Sequence, residues 1–206
     1  MQTFLAYGEY RRSARVLDKQ RLNKQITETQ QILTCLIEGG SWENHPAVRM
    51  WRGYEQSLCE YGEACQGAFV AMGGSSTHKS WEKIQGLMRE RRWTSNIAPV
   101  PPWNGREDIH SSHRGRLLHK GNLDTARKRA ILLVGRGRGK VDEFVKDFFE
   151  SKRKLYLRDL TVDQVDRLHQ LFDKEGLERY DNWYEQFGWR EKPSDNYVWP
   201  VELLGE

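Results

Sequence analysis

The stretch Asp18-Lys19-Gln20-Arg21-Leu22-Asn23-Lys24-Gln25-Ile26-Thr27-Glu28-Thr29-Gln30-Gln31-Ile32-Leu33-Thr34-Cys35-Leu36-Ile37-Glu38-Gly39-Gly40 decides the fold class. Leu22, Ile26, Leu33 and Leu36 recur at helical spacing with Ile37 beside them. Arg21, Lys24, Gln25, Glu28 and Gln31 fall on the opposite face. Asp18 can cap the first turn, and Gly39-Gly40 ends the run. The pattern predicts an amphipathic helix over Asp18–Glu38 whose polar face carries one carboxylate flanked by bases.

Downstream, Pro46 suits a first helical turn with Asn44 or His45 at the cap. Ala47, Trp51, Tyr54, Leu58, Tyr61, Cys65, Phe69 and Met72 then step by three and four until Gly73-Gly74. This predicts a second long helix, antiparallel to the first. Trp81–Arg92 reads as a short basic helix, Ala98–Trp103 as extended because of its prolines, and Ile109–Lys120 as a third helix rich in His and Arg. Arg127–Val134 and Val141–Phe149 continue the helical pattern, and Thr161-Val162-Asp163-Gln164 has capping-box spacing. No run alternates as a strand does, so the class is all-α.

The chain has 206 residues, which suits one domain or one domain with a large insertion. Its eight Trp, eight Tyr and seven Phe argue against disorder. No apolar run reaches the about 18 residues that a membrane span requires. The opening Met1–Tyr7 lacks a basic segment and a long apolar one, so it does not read as a signal peptide. Cys35, Cys59 and Cys65 lack CxxC spacing and read as reduced thiols of a cytoplasmic core. The net charge of +4 conceals an uneven distribution. Gly105–Lys140 holds ten basic and three acidic residues, whereas Val141–Glu206 holds ten and sixteen. The basic segment is a polyanion footprint or a solvated basic helix with a flexible loop.

Glu28 has two readings from its neighbours alone: a surface ion pair with Lys24, or a carboxylate placed to handle protons. His110, His113 and His119 lack an HExxH pattern and a supporting Cys pair, which argues against zinc. Arg106, Arg114, Arg116 and Lys120 around them would repel a cation and suit phosphates, with Ser111 and Ser112 as hydroxyl donors. Gly135-Arg136-Gly137-Arg138-Gly139-Lys140 lacks P-loop spacing. It reads as a basic loop that follows a nucleic-acid backbone, or as an insertion loop with no partner. Most of the tryptophans read as core, and the extended tail Tyr197-Val198-Trp199-Pro200 must pack somewhere, with closure over a site as one option.

Taken in order, several motifs resemble the pyrimidine-dimer DNA glycosylase family, the group that includes phage T4 endonuclease V. They are Met1–Leu5, Ser13–Leu22, Asn44–Tyr54, Ser112-His113-Arg114, Leu117-Leu118 with Lys120, and Tyr197–Pro200. The resemblance implies a compact helical bundle of the T4 endonuclease V type. It implies excision of a damaged or modified pyrimidine from double-stranded DNA, with abasic-site lyase activity through an N-terminal amine and no cofactor or metal. It places the catalytic roles on Glu28 and Met1. DNA contacts fall to Arg15, Arg21, Lys24, His110, His113, Arg114, Arg116, Lys120, Arg136 and Arg138.

The departures from the family pattern are specific. Gln2 is bulky, so Met1 stays in place and the amine belongs to Met1 or the Schiff-base chemistry is lost. Thr27 and Gln31 stand where the family carries basic residues. Gly121–Glu178 reads as a helical insertion into a core made of 1–120 and 179–206, where it is a surface for a protein partner or a decoration. The competing function is a non-catalytic DNA-binding protein on the same scaffold.

Overall fold

Asp18 sets the start of the longest helix. In a computed structural model, its backbone is extended and its Oδ1 accepts the Arg21 N–H at 2.7 Å, which satisfies one of the donors that a helix start leaves open. The model describes residues 2–93, 98–119 and 197–200. The six helices among them are α1 (Tyr10–Arg15), α2 (Lys19–Glu38), α3 (Pro46–Arg49), α4 (Glu55–Ala71), α5 (Lys79–Glu90) and α6 (Glu107–His119). No strand occurs among the described residues. The all-α expectation therefore holds for them, and the supposed insertion 121–178 lies outside them.

The chain divides into two compact units, Met1–His113 with Tyr197–Glu206, and Arg114–Asn196. In the second unit only the last residues of α6, Arg114–His119, are described. The architecture that follows is that of the first unit.

The second predicted helix is two helices. His45 caps α3 by accepting the Ala47 N–H on Nδ1 at 3.1 Å, with Pro46 in the first turn. The chain then turns through Met50–Gly53, where Gly53 takes φ +81°. That left-handed backbone suits glycine and ends the helical path. Glu55 Oε1 accepts the Gly53 N–H at 2.9 Å, so the break carries its own side-chain bond before α4 begins.

Helix α4 is the hub and touches α1, α2 and α5. At the α2–α4 crossing, a Cβ on Gly62 would stand 2.9 Å from Thr29 Cγ2, so glycine permits this close approach. Leu22, Ile26, Ile32 and Leu33 from α2 and Leu58, Tyr61 and Cys65 from α4 are fully buried, with Ile84 of α5. The three cysteines are buried free thiols. Helix α1 places Tyr10 against the rings of Trp51 and Tyr61, and its hydroxyl lies 2.6 Å from Ser57 Oγ. Trp103 closes the core edge-on to Trp51, 4.9 Å between centroids, and donates its indole N–H to Met50 O.

One further element has no sheet or helix of its own. Residues 3–6 are a buried segment outside the helices, in which the Phe4 and Leu5 peptide groups are paired by side chains. A buried backbone polar group requires a partner. Phe4 N–H finds Gln25 Oε1 at 2.9 Å and Tyr61 Oη at 3.1 Å. Tyr61 Oη also lies 3.1 Å from Phe4 O, to which it can donate. Leu5 N–H donates to His113 Nδ1 at 3.0 Å, and Leu5 O accepts from His110 Nδ1 at 2.8 Å. Thr3 Oγ1 accepts the Trp51 indole N–H at 3.1 Å. Each bond spans a large sequence separation, so the segment is held by the finished core.

Candidate active site

Gln25 organises the start of the chain. Its Oε1 receives the Phe4 N–H and the Tyr61 hydroxyl, the latter at 2.7 Å. Its Nε2 donates to Gln2 O at 3.1 Å and to Glu28 Oε2 at 3.0 Å. Two donors face one end of the amide and two acceptors the other, so its orientation is fixed by its neighbours. One α2 side chain thus fastens the Gln2–Phe4 segment beside Glu28, one helical turn further on.

Glu28 is not on a solvent face. It is 9% exposed, and its Oε1 is 3.9 Å from Lys24 Nζ, a loose pair with a side chain that is itself 73% exposed. Burial pushes the Glu28 carboxyl above its ordinary range. The positive amino terminus, Lys24, the Gln25 amide and the Gln2 backbone N–H pull against that rise without cancelling it. A carboxyl so placed is withdrawn from water, oriented by donors, and suited to proton transfer or to facing a developing cation.

The described residues expected to bind DNA have different surroundings. Lys24 is open to solvent next to Glu28. Arg21 forms an ion pair with Asp18 at the start of α2. Arg15 lines a groove of about 630 Å³ between α1 and α4 with Arg11, but also with Glu9, Glu60 and Glu63. His110 and His113 correct the sequence reading. They are 2% and 0% exposed and hold the Leu5 backbone, so their rings do not reach phosphates. Among the described residues no group of three His, Cys, Asp or Glu has the arrangement of a metal site. In the second unit, Arg114 is buried and Arg116 half-buried. Met1, Lys120, Arg136 and Arg138 lie outside the described residues.

Sequence reasoning missed Gln25 and Tyr61. Gln25 falls on the polar face of its helix and Tyr61 on an apolar stripe. The available signal was their polarity at buried positions: Gln25 lies three residues before Glu28, and a tyrosine in a core stripe requires a partner for its hydroxyl. The tail Tyr197–Pro200 packs in the first unit. Val198 N–H donates to Ser112 Oγ at 3.1 Å, the Tyr197 ring stands 5.4 Å from His113, and Trp199 stands 6.2 Å from His45.

The model of the pyrimidine dimer DNA glycosylase family matches residues 1–81. That span contains Gln2, Lys24, Gln25, Glu28 and Tyr61, and the match agrees with the family resemblance of the motifs. No curated protein and no solved structure is matched by the chain.

Proposed function

We propose, from the pyrimidine dimer DNA glycosylase pattern of residues 1–81, that this chain excises a damaged or modified pyrimidine from double-stranded DNA and then cleaves the strand at the abasic site. The α-amine of Met1 attacks the sugar C1′. The N1–C1′ bond breaks, its electron pair leaves with the base, and opening of the sugar ring gives an imine between the amine and C1′. Glu28 stabilises the positive charge on the sugar and carries protons in the ring opening. Loss of a C2′ proton then expels the 3′ phosphate. The step requires no metal or organic cofactor. Lys24 and the arginines hold the flanking phosphates.

The observation that carries this reading is the Gln25 amide, which joins Gln2 O and the Glu28 carboxylate through one nitrogen. An enzyme that uses its first residue as nucleophile must immobilise its chain start against its acid–base group.

Incubation with ultraviolet-irradiated duplex and borohydride tests the amine. A covalent adduct carried by the peptide that contains Met1 is the expected result, and no adduct across several pyrimidine lesions removes the lyase. Glu28→Gln keeps shape and burial but loses the titrating group, so base release should fall by about 10²-fold or more. Because the native pKa of Glu28 is raised, its burial favours the folded state fully below the unfolded pKa, and that contribution is lost as pH rises through the folded pKa. At neutral pH the variant should therefore be no less stable than the parent in a thermal melt. Salt-sensitive duplex binding without base release would instead make the chain a non-catalytic DNA-binding protein.

A further inference from the structure

Gln2 enters the mechanism above only through its backbone. Its N–H contacts the Glu28 carboxylate, and its carbonyl shares the Gln25 amide with that carboxylate. Its side chain is unexplained. Nε2 is withdrawn from solvent and has no hydrogen-bond partner among the described residues. A buried donor without an acceptor destabilises a fold, and such groups require a reason. Thr29 Oγ1, Gln66 Oε1, Asn104 Oδ1 and His113 Nε2 are also unpaired, but Gln2 alone of these supplies a donor on the residue tied to Glu28. It also directly follows the residue whose amine is the proposed nucleophile.

We infer that Gln2 Nε2 is a substrate donor, hydrogen-bonded to the O2 carbonyl of the pyrimidine being excised. This rests on the glycosylase reading of Glu28 and deepens it. Every pyrimidine base carries O2 on the carbon next to N1, and N1 is the atom bonded to C1′. As the N1–C1′ bond breaks, its electron pair goes to N1 and delocalises onto O2. A donor aimed at O2 is therefore held more strongly in the transition state than in the bound substrate. The Gln2 proton stays on Nε2 throughout, no bond to Gln2 forms or breaks, and the departing base takes its proton from solvent. The interaction also favours a base with a carbonyl beside the glycosidic nitrogen, which purines lack.

The test is Gln2→Met in the full chain, assayed on an ultraviolet-irradiated thymine-dimer duplex. Methionine keeps the unbranched length, removes the donor, and remains bulky enough to leave Met1 in place. The expected result is a fall of about tenfold or more in kcat with little change in KM, as for an interaction made in the transition state. The melting temperature should hold or rise, because an apolar group replaces an unpaired donor. Gln2→Glu, which keeps the shape but removes the donor, should lose kcat as well. A Gln2→Met kcat within twofold of wild type overturns the inference, and so does a loss of kcat that accompanies a lower melting temperature. Glu28→Gln in the same assay separates the two ideas. If it abolishes base release while Gln2→Met does not, the catalytic reading stands and the Gln2 role falls. Full base release by Glu28→Gln, or none by wild type, overturns both.

Discussion

His110 and His113 sit one helical turn apart and hold the same residue by opposite chemistry. Leu5 O can only accept, so His110 Nδ1 carries the proton there, and its Nε2 accepts the Gly105 N–H at 2.9 Å. Leu5 N–H can only donate, so His113 Nδ1 is the bare nitrogen. Both rings do this work uncharged. Burial, then the neighbouring His110, depresses the His113 pKa to about 3, against a weaker rise from the Thr3 backbone. In the unfolded chain an imidazole titrates near about 6.5. The depressed pKa means that His113 contributes stability in full above the unfolded pKa, and that this is lost as pH falls towards the folded one. Between pH about 6.5 and about 4.5 the loss should be about 2–3 kcal/mol. Urea unfolding of wild type and His113→Asn at the two pH values checks this. Asn keeps an acceptor but does not titrate, so its pH-linked loss should be smaller by about that amount. Equal losses would show that His113 is not the group responsible. The sequence offered the opposite reading, because two histidines among arginines look like a phosphate grip. What it could not display was an unpaired backbone segment 105–108 residues away that needed a donor and an acceptor.

Helices α2 and α4 show where a sequence pattern stops informing. The bounds of α2 are legible because each is a local event, a capping Asp18 and a left-handed Gly39. Its apolar stripe is legible for the same reason. Its polar side is only partly solvated, since Gln25 and Glu28 on that face are buried, as is Thr29. Periodicity identifies the face that avoids water, but it cannot tell a solvated polar residue from one with a protein partner. The stripe in 47–72 ran through Gly53 because an apolar period survives a turn that keeps its phase. Helix α1 is six residues long, too short to show a period at all. The contact between Thr29 and Gly62 yields a prediction at this scale. Gly62→Ala should gain up to about 1 kcal/mol of helix propensity, but its Cβ meets Thr29 Cγ2 at 2.9 Å. Thr29 is β-branched and stiff in a helix, so the overpacking cost of about 1–3 kcal/mol should prevail. Gly62→Ala should therefore lower stability, and Thr29→Ser, which deletes that methyl, should restore it in the double variant. Additive effects in a double-mutant cycle of denaturant melts would show that the two residues do not limit the helix approach.

At the scale of the whole molecule, charge is the property that the element descriptions leave out. A net +4 over 206 residues is weakly basic, yet the excess is concentrated in Gly105–Lys140 and opposed by an acidic stretch after it. Lys24, on α2, belongs to neither stretch and is the exposed cation beside Glu28. The two regions proposed to bind phosphates are thus separable by experiment. Every cation that neutralises a phosphate releases counterions, and so steepens the fall of affinity with salt. Duplex affinity plotted as log K against log salt should be a descending line. Lys24→Ala should flatten it by about one, with a loss that is the same for different sequences. Arg136→Gln with Arg138→Gln should flatten it by about two if the Arg-Gly loop lies on the DNA backbone. An unchanged slope for the loop variant with a flattened one for Lys24→Ala would confine the footprint to the Glu28 region, and the basic excess of the loop would then need a different partner. The reverse pattern would separate the carboxylate from the DNA path and argue against a glycosylase centre at Glu28. The slope decides between these because it counts phosphates directly, which neither the net charge nor the depth of a groove can do.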